Sequence, residues 1–131
     1  MKPVTAVPTV RVVLADDHDL VRSGIKALLT MIKGVDVIAE ARNGQELVTL
    51  TESLNPDVVM TDISMPVMDG IAAIAQLHQS RPSVRLLVLS MYDTVDFVKR
   101  AVASGACGYL MKDAGSAKVL EVIRAIADGH D

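Results

Sequence analysis

The sequence predicts an α/β domain, a doubly wound parallel sheet of five strands covered by five helices. Three observations carry that reading. Short runs of β-branched and aliphatic residues alternate with amphipathic stretches over five rounds, from Val10 to Gly129. The apolar residues are mostly Val, Ala, Leu, Ile and Met, with no Trp, one Phe and two Tyr, the aliphatic bias of strands buried on both faces. A chain of 131 residues suffices for one domain with a proper core and is too short for two. Strict strand–helix alternation then implies right-handed crossovers, a parallel sheet and helices on both faces.

Each element has its own signal. Residues 1–9, with Pro3 and Pro8, read as a loose tail. The first strand is Val10–Ala15 and the second Val35–Ala41, short aliphatic runs suited to burial. Between them, from Leu20 to Ile32, Val21, Ile25, Leu28, Leu29 and Ile32 recur at three and four residues as one apolar stripe. Leu20, Gly24, Ala27 and Met31 form a second stripe beside it. "NGQELVTLTESL" opens the next helix with Asn43 as N-cap and Glu46 three residues on, a capping-box pattern. The third strand, Asp57–Thr61, leads through a loop to a helix at Gly70–Gln79, started by Asp69 or Gly70 and stopped before Pro82. After the fourth strand, Val84–Ser90, "DTVDFVKRAVASG" offers Asp93 as cap, Asp96 three on and Gly105 beyond the end. The fifth strand, Gly108–Met111, has the weakest pattern and rests on its place in the alternation. Ser116–Ala127 is the last helix, closed by Gly129, and 130–131 read as the start of a linker.

Composition narrows the function. A net charge of −3 without a basic cluster does not resemble a nucleic-acid-binding footprint. The single cysteine, Cys107, lies in "ACGYLM" and reads as a core thiol. The methionines read as core filler, with Met65 and Met91 near the polar residues described next. "MKPVTAVPTV" lacks the apolar core of a signal peptide and no run approaches membrane-span length, so a cytoplasmic location is expected and no membrane contact.

Parallel strands point the same way, so their carboxyl ends share one edge, where ligands bind in the crevice at the strand-order switch. The first strand ends in Asp16 and Asp17, the third in Asp62, the fourth in Ser90, and the fifth runs into Lys112. Three carboxylates this close raise one another's pKa values unless a positive charge sits among them. A hard divalent cation relieves that repulsion, and oxygen-only ligands select Mg²⁺ or Mn²⁺ over zinc. No His or Cys is placed for a zinc site; His18, which follows the acid pair, is assigned to the first helix's opening turn rather than to a ligand or base role. A metal beside carboxylates, a lysine and a hydroxyl suits phosphoryl transfer. The residues one by one have plainer readings, since an acid at a strand end also serves as a cap, as Asp17 could. Their convergence on one edge carries the argument.

"VVLADDH", "VMTDISMPVMDG", "LLVLSMYD" and "GACGYLMKD" together resemble the receiver domain of bacterial two-component response regulators. "ADDHDLVRSG" and the Lys112–Asp113 pair are most similar to the NarL/FixJ (LuxR-type) subgroup. The likeness spans residues 10–129 and implies the flavodoxin-like strand order 2-1-3-4-5. It implies that Asp62 is the phosphoacceptor, attacking a histidine kinase's phosphohistidine. Asp17, Asp62 and the main-chain carbonyl of Ser64 would hold Mg²⁺, with Asp16 acting through water. Lys112 would contact Asp62 and a phosphoryl oxygen, Ser90 would be the switch hydroxyl and Tyr109 the coupled aromatic. Such a domain catalyses only its own phosphorylation and dephosphorylation. In this subgroup it precedes a helix-turn-helix DNA-binding domain, here absent, and a phosphorylation-dependent homodimer is a further expectation. The resemblance also implies kinase docking on the first helix's second stripe with the loop after Lys112, where scattered exposed apolar residues are an equal reading, and output through Phe97, Arg100 and Tyr109.

Three positions depart from the commonest family pattern. Ser64 stands where Asn is frequent, Met91 follows Ser90 where a small residue is common, and Lys112 precedes Asp113, where many relatives carry proline and a cis bond. The alternative reading is a phosphorylation-independent binding module, or pseudo-receiver, opposed by the intact set Asp16, Asp17, Asp62, Ser90 and Lys112. A flavin carrier needs a hydroxyl- and glycine-rich phosphate loop after the first strand, where the aspartates would repel phosphate. A haloacid-dehalogenase-like phosphatase needs a second acid two residues after the nucleophile, and Ser64 holds that position.

Overall fold

A computed structural model describes residues 9–91, 95–112 and 116–127. Ten elements follow in strict alternation: β1 (Val10–Ala15), α1 (Asp19–Thr30), β2 (Val35–Ala41), α2 (Gly44–Leu54), β3 (Val58–Thr61), α3 (Gly70–Ser80), β4 (Arg85–Ser90), α4 (Val95–Ser104), β5 (Gly108–Met111) and α5 (Ser116–Ala127). The five strands form one parallel sheet in the order β2-β1-β3-β4-β5. The doubly wound α/β fold and its order 2-1-3-4-5 are as expected. Chain order reverses at β1, so the crevice opens between the carboxyl ends of β1 and β3.

Strand side chains alternate between the two faces, and each face has its own core. Val13, Ala15, Val59, Leu86 and Val88 point to the α2, α3 and α4 side, against Leu47, Ile74, Leu77 and Ala101. Val12, Leu14, Val58, Met60, Leu87 and Leu89 point to the other, against Leu29, Ile32, Val119 and Ile123 of the α1 and α5 side. The middle strands are buried on both faces, hence their unbroken aliphatic runs. At the edge, β2 is half-buried and its pairing with β1 slips by one residue between Val12 and Val13, leaving Ile38 out of register.

Capping follows the sequence with small adjustments. Asn43 Oδ1 accepts from the Glu46 N–H at 2.8 Å, while the Glu46 carboxylate returns to the Arg42 N–H at 3.0 Å, one residue before the expected partner. Asp69 Oδ1 caps α3 through the Ala72 N–H at 2.8 Å. Gly105 follows α4 at φ +116°, a left-handed backbone that costs glycine little. The expected cap Asp93, the closing Gly129, His130 and the Lys112–Asp113 bond lie outside the described residues, as do residues 1–8.

Boundaries move by one or two residues: β3 starts at Val58 rather than Asp57, β4 at Arg85 rather than Val84, and α1 runs Asp19–Thr30 rather than Leu20–Ile32. Two assignments are corrected. Val21 is exposed rather than part of the core stripe, because Arg22 takes the inward position in the first turn of α1. Met31 and Met91 are exposed, not core filler, whereas Met60 and Met65 are buried. Cys107 is half-buried and packs against the core beneath α1 and α5. Among the described residues no helix is long and apolar enough to cross a membrane.

Candidate functional site

The sheet fixes the residues just beyond its strand ends. The Asp16 N–H donates to the Ala41 carbonyl of β2 at 3.0 Å, and the Asp62 N–H to the Ala15 carbonyl of β1 at 2.9 Å. On the far side the Lys112 N–H donates to the Ser90 carbonyl at 2.8 Å. Asp16, Asp62, Ser90 and Lys112 therefore leave from a hydrogen-bonded backbone, and Asp16, Asp62 and Ser90 are buried.

The lysine ties the acids together. Lys112 Nζ lies 2.7 Å from Asp16 Oδ2 and 3.2 Å from Asp62 Oδ2, with its side chain only 6% exposed. The resemblance implied a contact with Asp62; the shorter one is with Asp16. Asp62 Oδ1 accepts from the Ile63 N–H at 2.8 Å, and Asp16 Oδ1 from the His18 N–H at 2.9 Å. Burial pushes the Asp62 carboxyl above its ordinary range; Lys112 opposes that shift and the Asp16 charge adds to it. Burial alone would lower the Lys112 ammonium, but its two carboxylate partners outweigh it and hold it above the usual lysine value.

Asp17 completes the cluster. Its Oδ1 is buried without a hydrogen-bond partner, although the His18 ring Nδ1 lies 3.2 Å away. Asp16, Asp17, His18 and Asp62 each offer one ligand atom, all within 4.8 Å of one another. A buried, unpartnered carboxylate oxygen is costly unless something positive reaches it, so the donor set fits a hard cation. His18 stands at the opening of the first helix, as expected, and its ring also reaches the acids. The turn after Ala15 sets His18 at the N-cap of α1, where its main-chain N–H bonds Asp16 and swings its ring beside the acids.

The loop from β3 to α3 forms the opposite wall. The Gly70 N–H donates to the Ile63 carbonyl at 2.7 Å, and a Cβ at Gly70 would collide with the Asp62 carbonyl. Met68 presents its carbonyl to the Gly44 N–H of α2 at 2.7 Å. Val67, at the exposed tip, adopts φ +68°, a conformation β-branched residues rarely hold. Ser64, exposed, lines a cleft of about 560 Å³ with Asp17, His18, Pro66, Phe97 and Arg100. The Arg100 guanidinium lies 5.9 Å from the centre of the Phe97 ring.

The structure thus gathers Asp16, Asp17, Asp62 and Lys112, with Ser90 buried at the end of the adjoining strand. Tyr109 is half-buried on β5, opposite Val88, and packs on the α2–α4 side core. One contributor was not read from sequence: Arg22. Its side chain is 10% exposed, and Nη1 donates to the Asp16 carbonyl at 2.7 Å, Nη2 to Asp19 at 2.8 Å and Nε to Glu40 at 3.0 Å.

A five-stranded parallel sheet whose switch-point crevice holds three carboxylates and a lysine defines a flavodoxin-like domain with an acidic site at its strand ends. The chain belongs to the response regulator receiver domain family, whose model matches residues 12–124. It is similar to the transcriptional regulatory protein DegU of Brevibacillus brevis, 38% identical over 120 residues, covering 92% of this chain and 51% of that protein. It is also similar to the nitrate/nitrite response regulator protein NarL of Escherichia coli, 36% identical over 119 residues, covering 91% of this chain and 55% of that protein. Among solved structures, the signal receiver domain of NarL from Mycobacterium tuberculosis superposes with a TM-score of 0.89 at 33% identity, covering 94% of this chain and 99% of that one. These relatives place it in the NarL/FixJ subgroup, and the chain spans about half the length of the curated ones.

Proposed function

We propose that this domain is a phosphorylation-controlled switch that accepts a phosphoryl group from a histidine kinase onto Asp62. The observation that carries the reading is the buried bridge of Lys112 between Asp16 and Asp62, beside the unpartnered oxygen of Asp17. The Asp62 carboxylate attacks phosphorus, an O–P bond forms as the N–P bond of phosphohistidine breaks, and the departing imidazole keeps the bond's electron pair. Lys112 neutralises a phosphoryl oxygen and favours the ionised nucleophile against the effect of burial. Asp17, Asp62 and the Ser64 carbonyl would hold Mg²⁺ or Mn²⁺, with Asp16 acting through water. When bound, the cation supplies positive charge to the carboxylates and the phosphoryl oxygens.

A phosphoryl group adds about two negative charges and three strong acceptors. Ser90, buried at the end of β4, supplies a hydroxyl that turns toward them, and Tyr109 on β5 follows. The receiver occupies residues 10–129 of a cytoplasmic protein. The relatives' names as transcriptional regulators support an output through a C-terminal helix-turn-helix domain, aided by phosphorylation-dependent homodimerisation.

The test is intact-protein mass after incubation with acetyl phosphate and Mg²⁺, beside Asp62→Asn and a metal-free control. One phosphoryl adduct is expected, requiring both the cation and Asp62. If acetyl phosphate gives none, beryllofluoride binding is measured by NMR; failure of both overturns the phosphoacceptor assignment and leaves a constitutive binding module.

A further inference from the structure

We propose that Arg22 is a positioning residue for the acidic site, holding the Asp16–Asp17 peptide so that the Asp17 carboxylate faces the cation. This deepens the reading of the cluster as a cation and phosphoryl site and rests on it. Besides the His18 N–H bond to the Asp16 carboxylate, two restraints act on the backbone groups of Asp16 itself. The Asp16 N–H is held by β2 through Ala41, and the Asp16 carbonyl by the Arg22 guanidinium at 2.7 Å. Together they fix the plane from which Asp17 departs. Without the second, a buried carbonyl loses its partner and the peptide is free to turn toward water.

The guanidinium is itself triangulated. Nη2 bonds Asp19 one turn earlier on α1, Nε bonds Glu40 on β2, and Glu40 Oε2 takes Lys26 Nζ at 3.0 Å. Three acceptors in three directions match the planar, forked donor set of arginine and not the single ammonium of lysine. The arrangement links α1, the edge strand and the acid-bearing turn, although Arg22 touches none of the reacting atoms. A residue one shell removed typically changes metal affinity by about tenfold or more when it orients a ligand.

The experiment is a Mg²⁺ titration of the whole chain followed by amide NMR shifts, for wild type, Arg22→Lys, Glu40→Gln and Ile74→Val. Ile74 lies in the core of the opposite face and reports what general loosening does. Arg22→Lys is expected to weaken Mg²⁺ binding about tenfold or more, Glu40→Gln to weaken it less, and Ile74→Val to leave it within about twofold of wild type. If wild type binds Mg²⁺ and folded Arg22→Lys binds it equally well, the positioning role is overturned while the cation reading stands. If Ile74→Val weakens binding as much as Arg22→Lys, the role is equally overturned. If Arg22→Lys does not fold, Glu40→Gln decides, and unchanged affinity there overturns the proposal. A wild type that does not bind Mg²⁺ overturns the cation reading beneath it.

Discussion

Replacing Asp62 by asparagine is expected to stabilise the domain in metal-free buffer while abolishing the proposed phosphorylation. Lys112 Nζ lies 3.2 Å from Asp62 Oδ2, an attraction of about 5 kcal/mol at an effective dielectric of about 20. Asp16 brings a carboxylate oxygen within 4.8 Å, a repulsion of at least about 3.5 kcal/mol by the same reckoning. The attraction exceeds the repulsion by at most about 1.5 kcal/mol, and burial outweighs that difference, holding the carboxyl above its ordinary range. Asparagine keeps the shape and an acceptor for the Ile63 N–H but carries no charge. A gain of about 1 kcal/mol corresponds to a melting temperature about 4 °C higher for a chain of this size.

The sign with pH follows from the upward shift. The folded state holds its proton to higher pH than the unfolded chain, so Asp62 costs most stability above its raised value and nothing below the ordinary carboxylate value. The advantage of Asp62→Asn therefore grows as pH rises through that interval. Added Mg²⁺ at ten times its Kd stabilises wild type by about 1.4 kcal/mol and the variant by less, narrowing the gap. The assay is calorimetry or thermal circular dichroism at several pH values, with and without Mg²⁺. An Asp62→Asn protein that melts below wild type in metal-free alkaline buffer would refute the claim that burial outweighs the lysine.

Lys112→Met leaves two buried carboxylates without their shared counter-charge and should cost about 3 kcal/mol, read by urea denaturation in metal-free buffer; an unchanged midpoint would contradict the bridge. Gly70→Ala places a methyl group against the Asp62 carbonyl, and since backbone must yield, a loss of at least about 2 kcal/mol is expected in the same assay. Acidification tests Asp19 and Glu40, whose carboxyls are held below their ordinary values, Asp19 chiefly by its bond to Arg22 and Glu40 chiefly by Lys26. Their contribution is present above the ordinary carboxylate value and lost as pH falls through their lowered ones. Arg22→Gln should flatten that part of the stability profile, measured by urea midpoints against pH. Met91, exposed beside the site, is expected to screen small donors, so Met91→Ala should label faster with acetyl phosphate by mass spectrometry and no faster with a kinase.

What the sequence shows of the fold is what local pattern can carry. Strand-length aliphatic runs, the Asn43–Glu46 pair and Gly105 each encode an element or its end without reference to distant residues. The convergence of Asp16, Asp17, Asp62 and Lys112 was legible because parallel topology alone brings strand ends together. Arg22 was not, because its inward turn depends on Glu40, eighteen residues away, and on a carbonyl that has no letter in the sequence. Lys112's preference for Asp16 over Asp62 likewise depends on side-chain reach across the crevice. Nothing local marks Val67 for a left-handed backbone; the loop closed by Gly70 imposes it.

The two cores on opposite faces of the sheet have a consequence for how such a domain can diversify. Leu29 and Ile123 share no packing cluster with Leu47, Ile74 or Ala101, and perturbations at sites without shared partners add with little coupling. The α1 and α5 layer can therefore accumulate substitutions, and with them a new choice of partner, without repacking the α2–α4 layer. Lineages can rewire one side of the molecule while inheriting the other intact, the chemistry between them held in common.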